Sequence, residues 1–274
     1  MKILQKIIRK FLNTLGFDII RSSSSTESNL NLNEFLNYEL EDQATNLISI
    51  IKGNTMLSKR RLVTLYQQVA YCEKNKILGS FVECGVWKGG AIGLMALGNI
   101  QLSSKRRNLH LFDSFEEICE PDPEKDGQKA LNDVKHFTKN NSHSKGRLRP
   151  VKGIYDEFGG PGSLEENKNL LENIINYPSK SIFYHKGWFQ ETLPISCKKI
   201  DKIAILRLDG DWYSSTKVCL EYLFNKVAKG GVVIIDDYGT YDGCRKAVDE
   251  FLKKNKVKYY LASVDKDCRF LIKQ

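Results

Sequence analysis

Acidic residues follow two apolar segments in the C-terminal half of the chain. Asp209 and Asp211 come after IAILRL, and Asp236 and Asp237 follow VVII. If these segments are neighbouring parallel strands, the four carboxylates converge at one edge of a sheet. Four like charges so close repel one another unless a positive charge lies among them. Because carboxylate oxygens suit Mg²⁺, Ca²⁺ or Mn²⁺, the pattern favours a divalent cation site over separate helix caps or surface loops.

A glycine-rich turn, ECGVWKGG, joins an earlier apolar strand to a helix. Its glycines allow a ligand close to the backbone, and the helix start offers unpaired N–H groups. The spacing is not the G-x-G-x-x-G of dinucleotide enzymes, since Trp87 stands where that pattern has its second glycine. Asp113 ends the next strand, where an acidic side chain accepts hydrogen bonds from ribose hydroxyls in nucleoside-binding sheets. Together the two features predict an adenosine-containing ligand.

Three further groups have two interpretations each. His185 follows an apolar strand, and a hydrogen-bonded structural histidine is favoured over a catalytic base. Trp188, which follows Gly187, fits either stacking on adenine or core packing. The basic run 105–107 is interpreted as a solvated face, because no aromatic residues interleave with it as they would in a nucleic-acid patch.

Five short apolar strands alternate with helices and position these residues. The predicted strands are Ser80–Cys84, Asn108–Phe112, Ser181–His185, Lys202–Leu208 and Val232–Ile235. The pattern predicts an α/β fold with a parallel sheet covered by helices on both faces, closed by a C-terminal antiparallel hairpin. Ligands of such sheets bind beyond the carboxyl ends of the strands, where the acidic residues and glycine turns lie.

The chain divides into three parts. Residues 1–28 read as an amphipathic basic helix over 1–20 and a Ser-rich linker, expected to dock on a second subunit rather than on a membrane surface. Residues 29–78 form a helical segment, broken at Lys52–Asn54, and 79–274 form the α/β domain. A polar region over 116–162 is predicted to have little regular core, and Ser214–Thr216 are predicted to cap a helix.

Composition describes an ordinary soluble globular protein, with 41% hydrophobic and 27% charged residues among 274. Collagen-like and wholly disordered chains are excluded. The net charge of +9 favours anionic partners in general, and it does not point to nucleic acid in particular. Seven cysteines without close pairs predict neither a disulfide framework nor a zinc site. With no secretory signal or spanning segment, a cytoplasmic location is expected.

Five motifs occur in an order that resembles the macrocin O-methyltransferase (TylF-like) family of sugar methyltransferases. They are FVECGVWKGG, LFDSF, KGWFQETLP, ILRLDGDWYSSTKVCLEYL and GGVVIIDDYGTYDGCRKAVDEF. The resemblance runs from about Asn54 to the C-terminus, and 116–162 is not part of it. It implies a class I methyltransferase fold with S-adenosylmethionine as the methyl donor and Mg²⁺, or another divalent cation such as Mn²⁺, near a sugar acceptor.

The resemblance also implies roles for individual residues. The donor would contact the following set: Thr55, Met56, Glu83, Gly85, Gly89, Asp113, Ser114, Gly187 and Trp188. Asp209, Asp236 and Asp237 match the metal ligands, and Asp211 matches the general base. The implied acceptor is a nucleotide-sugar or a glycan or natural-product precursor, and a homo-oligomer is expected.

Two other functions compete with this one. A nicotinamide-dependent oxidoreductase would have the same type of fold. However, its mechanism gives the aspartate cluster no role, and the G-x-G-x-x-G pattern of such enzymes is missing here. A non-enzymatic membrane or assembly protein would explain the N-terminal helix and leave the motifs of the remaining chain without a role.

Overall fold

The computed structural model describes residues 30–139, 144–256 and 258–274. Its centre is a seven-stranded sheet in the order β3-β2-β1-β4-β5-β7-β6. The first five strands are parallel, and β7 runs antiparallel to both β5 and β6. The strands are β1 Ser80–Cys84, β2 Leu109–Asp113, β3 Ile182–Lys186, β4 Ile203–Leu208, β5 Val227–Ile235, β6 Ala262–Ser263 and β7 Arg269–Ile272. The predicted α/β sheet and closing hairpin are therefore confirmed.

Helices cover both faces of the sheet because neighbouring strand residues point to opposite sides. Phe81 packs in a core cluster with the first three helices and the helix before β3, whereas Val82 packs in a second cluster with the last three helices. The helices are α1 Glu41–Ile51, α2 Lys59–Lys74, α3 Gly90–Leu102, α4 Gly127–Thr138, α5 Leu164–Lys168 with a π-helical continuation Asn169–Ile174, α6 Phe189–Ser196, α7 Tyr213–Leu223 and α8 Asp242–Lys254.

The N-terminal segment forms two helices separated at Lys52–Asn54, as the pattern predicted. Ser58 caps the start of α2, where its side chain accepts a hydrogen bond from the Arg61 amide. Two boundaries near the C-terminus differ from the prediction. Helix α7 ends at Leu223 rather than near Gly230, and β5 already begins at Val227, where it pairs with Ile203 of β4.

The polar region over 116–162 was expected to have little regular core, and that expectation is wrong in part. It contains α4 and a small apolar cluster in which Ala130, Val134 and Val151 pack with Trp212. Only two residues of α4 are buried, Ala130 and Val134. So short an apolar stripe is a weak periodic signal along the chain, and it is completed only by Trp212 from beyond β4.

The polar region over 116–162, called the inserted region from here on, also supports the start of α7. The residue before the helix is Trp212, and the predicted caps Ser214–Thr216 lie inside the first turn, where no side-chain cap is formed. Instead, Asp126 accepts a 2.6 Å hydrogen bond from the Tyr213 amide. A distant carboxylate thus satisfies one of the free N–H groups at the helix start.

Residues 1–28, with their predicted helix, linker and subunit contact, lie outside the described part of the chain, so those statements stay predictions. None of the helices described is both long and apolar enough to cross a membrane. All seven cysteines are free and buried, as expected for a protein without a disulfide framework.

Candidate active site

A cavity of about 400 Å³ lies beyond the carboxyl ends of β1 to β5. This is the position at which open α/β sheets bind ligands. Its walls come from the segment before α2, from the inserted region and from every strand end from β1 to β5. Ten of the predicted site residues line it: Met56, Gly85, Asp113, Ser114, Gly187, Trp188, Asp209, Asp211, Asp236 and Asp237.

Gly85 occupies the tightest backbone position at the end of β1. Its φ is +84°, a conformation that side chains disfavour, and a Cβ atom there would lie 1.8 Å from the carbonyl oxygen of Asp209. The glycine therefore permits the end of β1 to approach the end of β4. From sequence, Gly85 was expected either to let a ligand approach the backbone or to form a tight turn, and the structure adds a packing requirement within the protein.

Asp113 organises the glycine turn from the end of β2. Its carboxylate accepts 2.7 Å hydrogen bonds from the amides of Val86 and Phe115, and a longer one from Trp87. Burial raises the pKa of Asp113 to about 6, and these amide donors oppose that rise. The carboxylate lines the cavity together with Ser114, which is the arrangement predicted for a ribose site.

The end of β3 completes this side of the cavity. The Gly187 amide donates a 2.9 Å hydrogen bond to the Asp113 carbonyl, so the loops after β2 and β3 are joined. Trp188 follows and lines the cavity at the start of α6, while it also packs partly against the apolar cluster of the inserted region. Its contact with that cluster supports the packing interpretation, and stacking on adenine stays a prediction.

Three predicted donor-binding residues do not line the cavity. Thr55 is buried, and its hydroxyl accepts a hydrogen bond from the Leu57 amide. Gly89 starts α3 with a positive φ, and a Cβ atom there would meet the side chain of Asn167. Glu83 is buried in an ion pair with Arg207 and is not among the residues that line the cavity. Their places in the fold indicate roles in shaping the turn and its surroundings.

Three carboxylates form a compact group at the ends of β4 and β5. Ligand oxygens of Asp209, Asp211 and Asp237 all lie within 4.8 Å of one another. Burial, followed by the charge of a neighbouring aspartate, raises the pKa of both Asp211 and Asp237 well above the ordinary range. Oxygen Oδ2 of Asp237 is buried and has no hydrogen-bond partner. An unsatisfied oxygen among mutually repelling carboxylates fits a divalent cation, which would supply the missing positive charge.

Two arginines hold the remaining carboxylate, Asp236. Arg207 Nη2 lies 2.7 Å from Asp236 Oδ1, and Arg61 Nη1 lies 2.7 Å from Oδ2. Arg207 also contacts Glu83 and Asp209, at 2.7 and 2.8 Å. The positive charge expected among the four aspartates is therefore partly provided by the protein. Asp211 occupies the place in the compact group that the resemblance gave to Asp236, and the ligand role of Asp236 stays a prediction.

His185 supports the structural interpretation rather than the catalytic one. It lies 3.1 Å from His110 between ring nitrogens and stacks on Phe112, with ring centroids 4.1 Å apart. Burial lowers the pKa of both histidines to about 4. Neither ring lines the cavity.

Several cavity residues were missed by reasoning from sequence. Arg61 lies in a helix whose other residues gave no sign of a site, and Tyr241 follows the Asp236–Asp237 pair by a few positions. The inserted region adds a largely apolar wall: Ile118, Phe137, Ile154, Tyr155 and Phe158. Of these residues, only Tyr241 belongs to a quoted motif, the one that contains the aspartate pair. Phe189, Gln190 and Trp212 also line the cavity, and they belong to two other quoted motifs.

The sheet order, the glycine turn and the cavity beyond β1 to β5 define a class I methyltransferase. Comparison with known proteins identifies the family. The model of the macrocin-O-methyltransferase family (TylF) matches residues 17–158 and 171–273. The match thus extends to the inserted region and further toward the N-terminus than the motifs alone indicated. The chain belongs to this family and is an S-adenosylmethionine-dependent O-methyltransferase, so the oxidoreductase and non-enzymatic interpretations are wrong.

Individual relatives agree with this assignment. The chain is 33% identical to demethyldecarbamoylnovobiocin O-methyltransferase of Streptomyces niveus over 78% of its own length and 74% of the relative's. It is 26% identical to mycinamicin III 3''-O-methyltransferase of Micromonospora griseorubida, over 78% and 76%. The solved structure of the O-methyltransferase NovP is similar with a TM-score of 0.62 and 32% identity, covering 81% of this chain and 82% of that one.

Proposed function

We propose that this enzyme methylates a sugar hydroxyl group with the help of a divalent cation, Mg²⁺ or Mn²⁺. The observation that carries the proposal is the group formed by Asp209, Asp211 and Asp237, which lines the same cavity as the residues predicted to bind the donor. A relative from Streptomyces olivaceus, 29% identical over 78% of this chain and 73% of its own length, is named for 4'-O-methylation of a rhamnosyl compound. That name supports a sugar as the acceptor class.

The need for a cation follows from the acidity of the acceptor. A hydroxyl group is about as weak an acid as water, with a pKa of ~15.7, whereas an ordinary aspartate has a pKa of ~3.9. Proton transfer between them is uphill by ~12 pKa units, or ~16 kcal/mol. A carboxylate alone therefore cannot generate the alkoxide. A bound divalent cation supplies Lewis acidity that makes an attached hydroxyl group more acidic.

The carboxylates have different roles in the proposed reaction. Asp209 and Asp237 would hold the cation, and Asp211 would receive the proton of the acceptor hydroxyl group, through an oxygen that does not face the cation. The acceptor oxygen then forms a bond to the methyl carbon while the bond from that carbon to sulfur breaks. The products are the methyl ether and S-adenosylhomocysteine. Asp236 would reach the cation only with oxygens that are already paired to Arg61 and Arg207.

The charges of the cavity narrow the acceptor further. Arg61 is the only described lining residue with a permanent positive charge, and it is already paired with Asp236, Asp265 and Asp267. The acidic residues lining the same cavity are Asp113, Glu116, Asp133, Asp209, Asp211, Asp236 and Asp237. A diphosphate inside it would be repelled by the carboxylates that the proposed cation and the two arginines do not neutralise. We therefore favour a neutral sugar on a glycan or natural-product precursor over a nucleotide-sugar.

The test is a methylation screen with S-adenosylmethionine and Mg²⁺. One set of acceptors contains nucleotide-sugars and the other contains neutral glycosides, and mass spectrometry detects the gain of one CH₂ group. We expect products from the neutral set, loss of activity with EDTA and recovery with Mg²⁺ or Mn²⁺. Full activity in EDTA would contradict the cation-dependent mechanism. Products from nucleotide-sugars alone would contradict the acceptor class.

A further inference from the structure

Arg61 contacts carboxylates from two separate parts of the chain. Its Nη1 atom lies 2.7 Å from Oδ2 of Asp236, at the end of β5. Its Nε atom lies 2.7 Å from Oδ2 of Asp265, and its Nη2 atom lies 3.3 Å from Oδ2 of Asp267. The last two residues belong to the turn between β6 and β7. Since Arg61 also lines the cavity, it places a positive charge beside the group of carboxylates that would hold the cation.

Both oxygens of Asp236 are paired with arginines, and the two contacts differ in how firmly they are held. Oδ1 lies 2.7 Å from Nη2 of Arg207, whose side chain is 3% exposed and makes two further ion pairs. Oδ2 is paired with Arg61, whose side chain is 16% exposed and whose two other partners lie partly in solvent. A partly exposed arginine gives up such a contact at less cost than a buried one, because water can solvate the released group. Oδ2 is therefore the oxygen of Asp236 that a cation could reach.

We propose that Arg61 is a positioning residue that competes with the divalent cation for Asp236 and thereby weakens cation binding. The inference rests on the cation site proposed above. The guanidinium group acts in two ways: it occupies the oxygen that a cation would use, and its charge repels a cation at the neighbouring carboxylates. Asp265 acts in the opposite direction, because its carboxylate neutralises part of that charge. Removal of Arg61 should therefore strengthen cation binding, and removal of the charge of Asp265 should weaken it.

The experiment measures Mn²⁺ binding by electron paramagnetic resonance, which detects the free cation and needs no acceptor. The proteins are the full-length wild type, Arg61→Met and Asp265→Asn, all in the absence of Mg²⁺. Arg61→Met keeps an unbranched apolar side chain and removes the charge, and we expect the Kd for Mn²⁺ to fall about tenfold. Asp265→Asn removes the charge and keeps an oxygen for the amides of Asp267 and Cys268. In this variant we expect the Kd for Mn²⁺ to rise about threefold.

Arg60→Met is the matched control for the loss of charge. It removes the same charge from the preceding residue of α2, which is exposed to solvent. Solvent screens an exposed charge, so the Kd for Mn²⁺ should stay within about twofold of the wild-type value. Circular dichroism checks that each variant is folded.

A merely structural role for Arg61 predicts a different outcome. Arg61→Met would then bind Mn²⁺ more weakly, because the loop after β5 would lose a support. An unchanged or higher Kd in this variant would overturn the proposal. If Arg61→Met does not fold, Arg61→Gln, which keeps a hydrogen-bond donor, is measured in its place by the same criterion. A wild type that binds no Mn²⁺ would contradict the cation site itself, whereas equal binding by wild type and variant would overturn only the role of Arg61.

Discussion

The two sides of the cavity are built from different kinds of contact. The donor side, at the ends of β1 to β3, is shaped by backbone conformation: Gly85 has a positive φ, and the carboxylate of Asp113 collects amide hydrogen bonds from the turn. The carboxylate side, at the ends of β4 and β5, is held by the side chains of Arg61 and Arg207. One side is thus specified within short stretches of chain, and the other depends on charges brought from distant elements.

This difference predicts that substitutions on the two sides of the cavity have different effects. Backbone changes on the donor side should affect folding and donor binding together. Changes among the aspartates should separate catalysis from donor binding, because the residues predicted to contact the donor are different ones. Changes to the buried arginines should affect stability first, since they leave carboxylates unpaired in the interior.

The largest expected effect is on turnover. Asp237→Ala removes the carboxylate with the unsatisfied buried oxygen, and we expect activity to fall about 10³-fold, which is the scale for loss of a transition-state charge stabiliser. The affinity for S-adenosylhomocysteine should change less than about twofold, a change worth under 0.5 kcal/mol. Methyl transfer assays and calorimetry measure the two quantities, and Mn²⁺ titration should show loss of cation binding. Asp201→Ala, at an exposed carboxylate, is the control. Parallel loss of donor affinity would show that the two sides are not separable.

The next effect concerns stability. Arg207→Met leaves Glu83 and Asp236 buried without their main counter-charge, and we expect the free energy of unfolding to fall by about 3–5 kcal/mol. Denaturant unfolding measures this loss. A second change, Glu83→Leu, should recover part of it, because one of the stranded charges is then removed. The control Arg60→Met alters an exposed arginine and should stay within about 0.5 kcal/mol of the wild type. If Arg207→Met were as stable as the wild type, the ion pairs of Arg207 would not be what stabilises the carboxylate side of the cavity.

A smaller loss is expected on the donor side. Gly85→Ala places a Cβ atom 1.8 Å from the Asp209 carbonyl oxygen in a disfavoured backbone conformation. We expect a loss of roughly 2–4 kcal/mol in unfolding free energy, together with weaker donor binding. Gly53→Ala is the matched control, because a Cβ atom at that position meets nothing within 4 Å. Equal stability of the two variants would show that the ends of β1 and β4 can separate without cost.

The smallest effect is a pH dependence from His110 and His185. Burial lowers the pKa of both to about 4 in the folded state, against about 6.5 when unfolded. Between these values the unfolded chain binds more protons, so stability falls as the pH drops from about 6.5 toward 4. The loss should be roughly 1–3 kcal/mol after allowance for partial exposure. Thermal unfolding measured across this pH range should show that the melting temperature of His185→Phe changes less with pH than that of the wild type. An identical pH dependence would contradict the lowered pKa of His185.

Much of the architecture followed from local patterns. Apolar runs such as Val232–Ile235 and the glycine turn after β1 predicted the parallel sheet and the position of its cavity. Seven of the predicted site residues that line that cavity are acidic residues or glycines at strand ends, which must lie at one edge of a parallel sheet. Side-chain direction was less predictable. Glu83 belongs to the right motif, yet its carboxylate points into the interior toward Arg207.

The sequence by itself therefore determined the strands, the order of the motifs and the edge at which they meet, since those depend on residues close together in the chain. Tertiary structure decided which charges pair. Arg61 reaches Asp236 across 175 positions, and Asp126 caps α7 across 87. Such contacts depend on packing between elements whose separation in space has no periodic signature in the sequence.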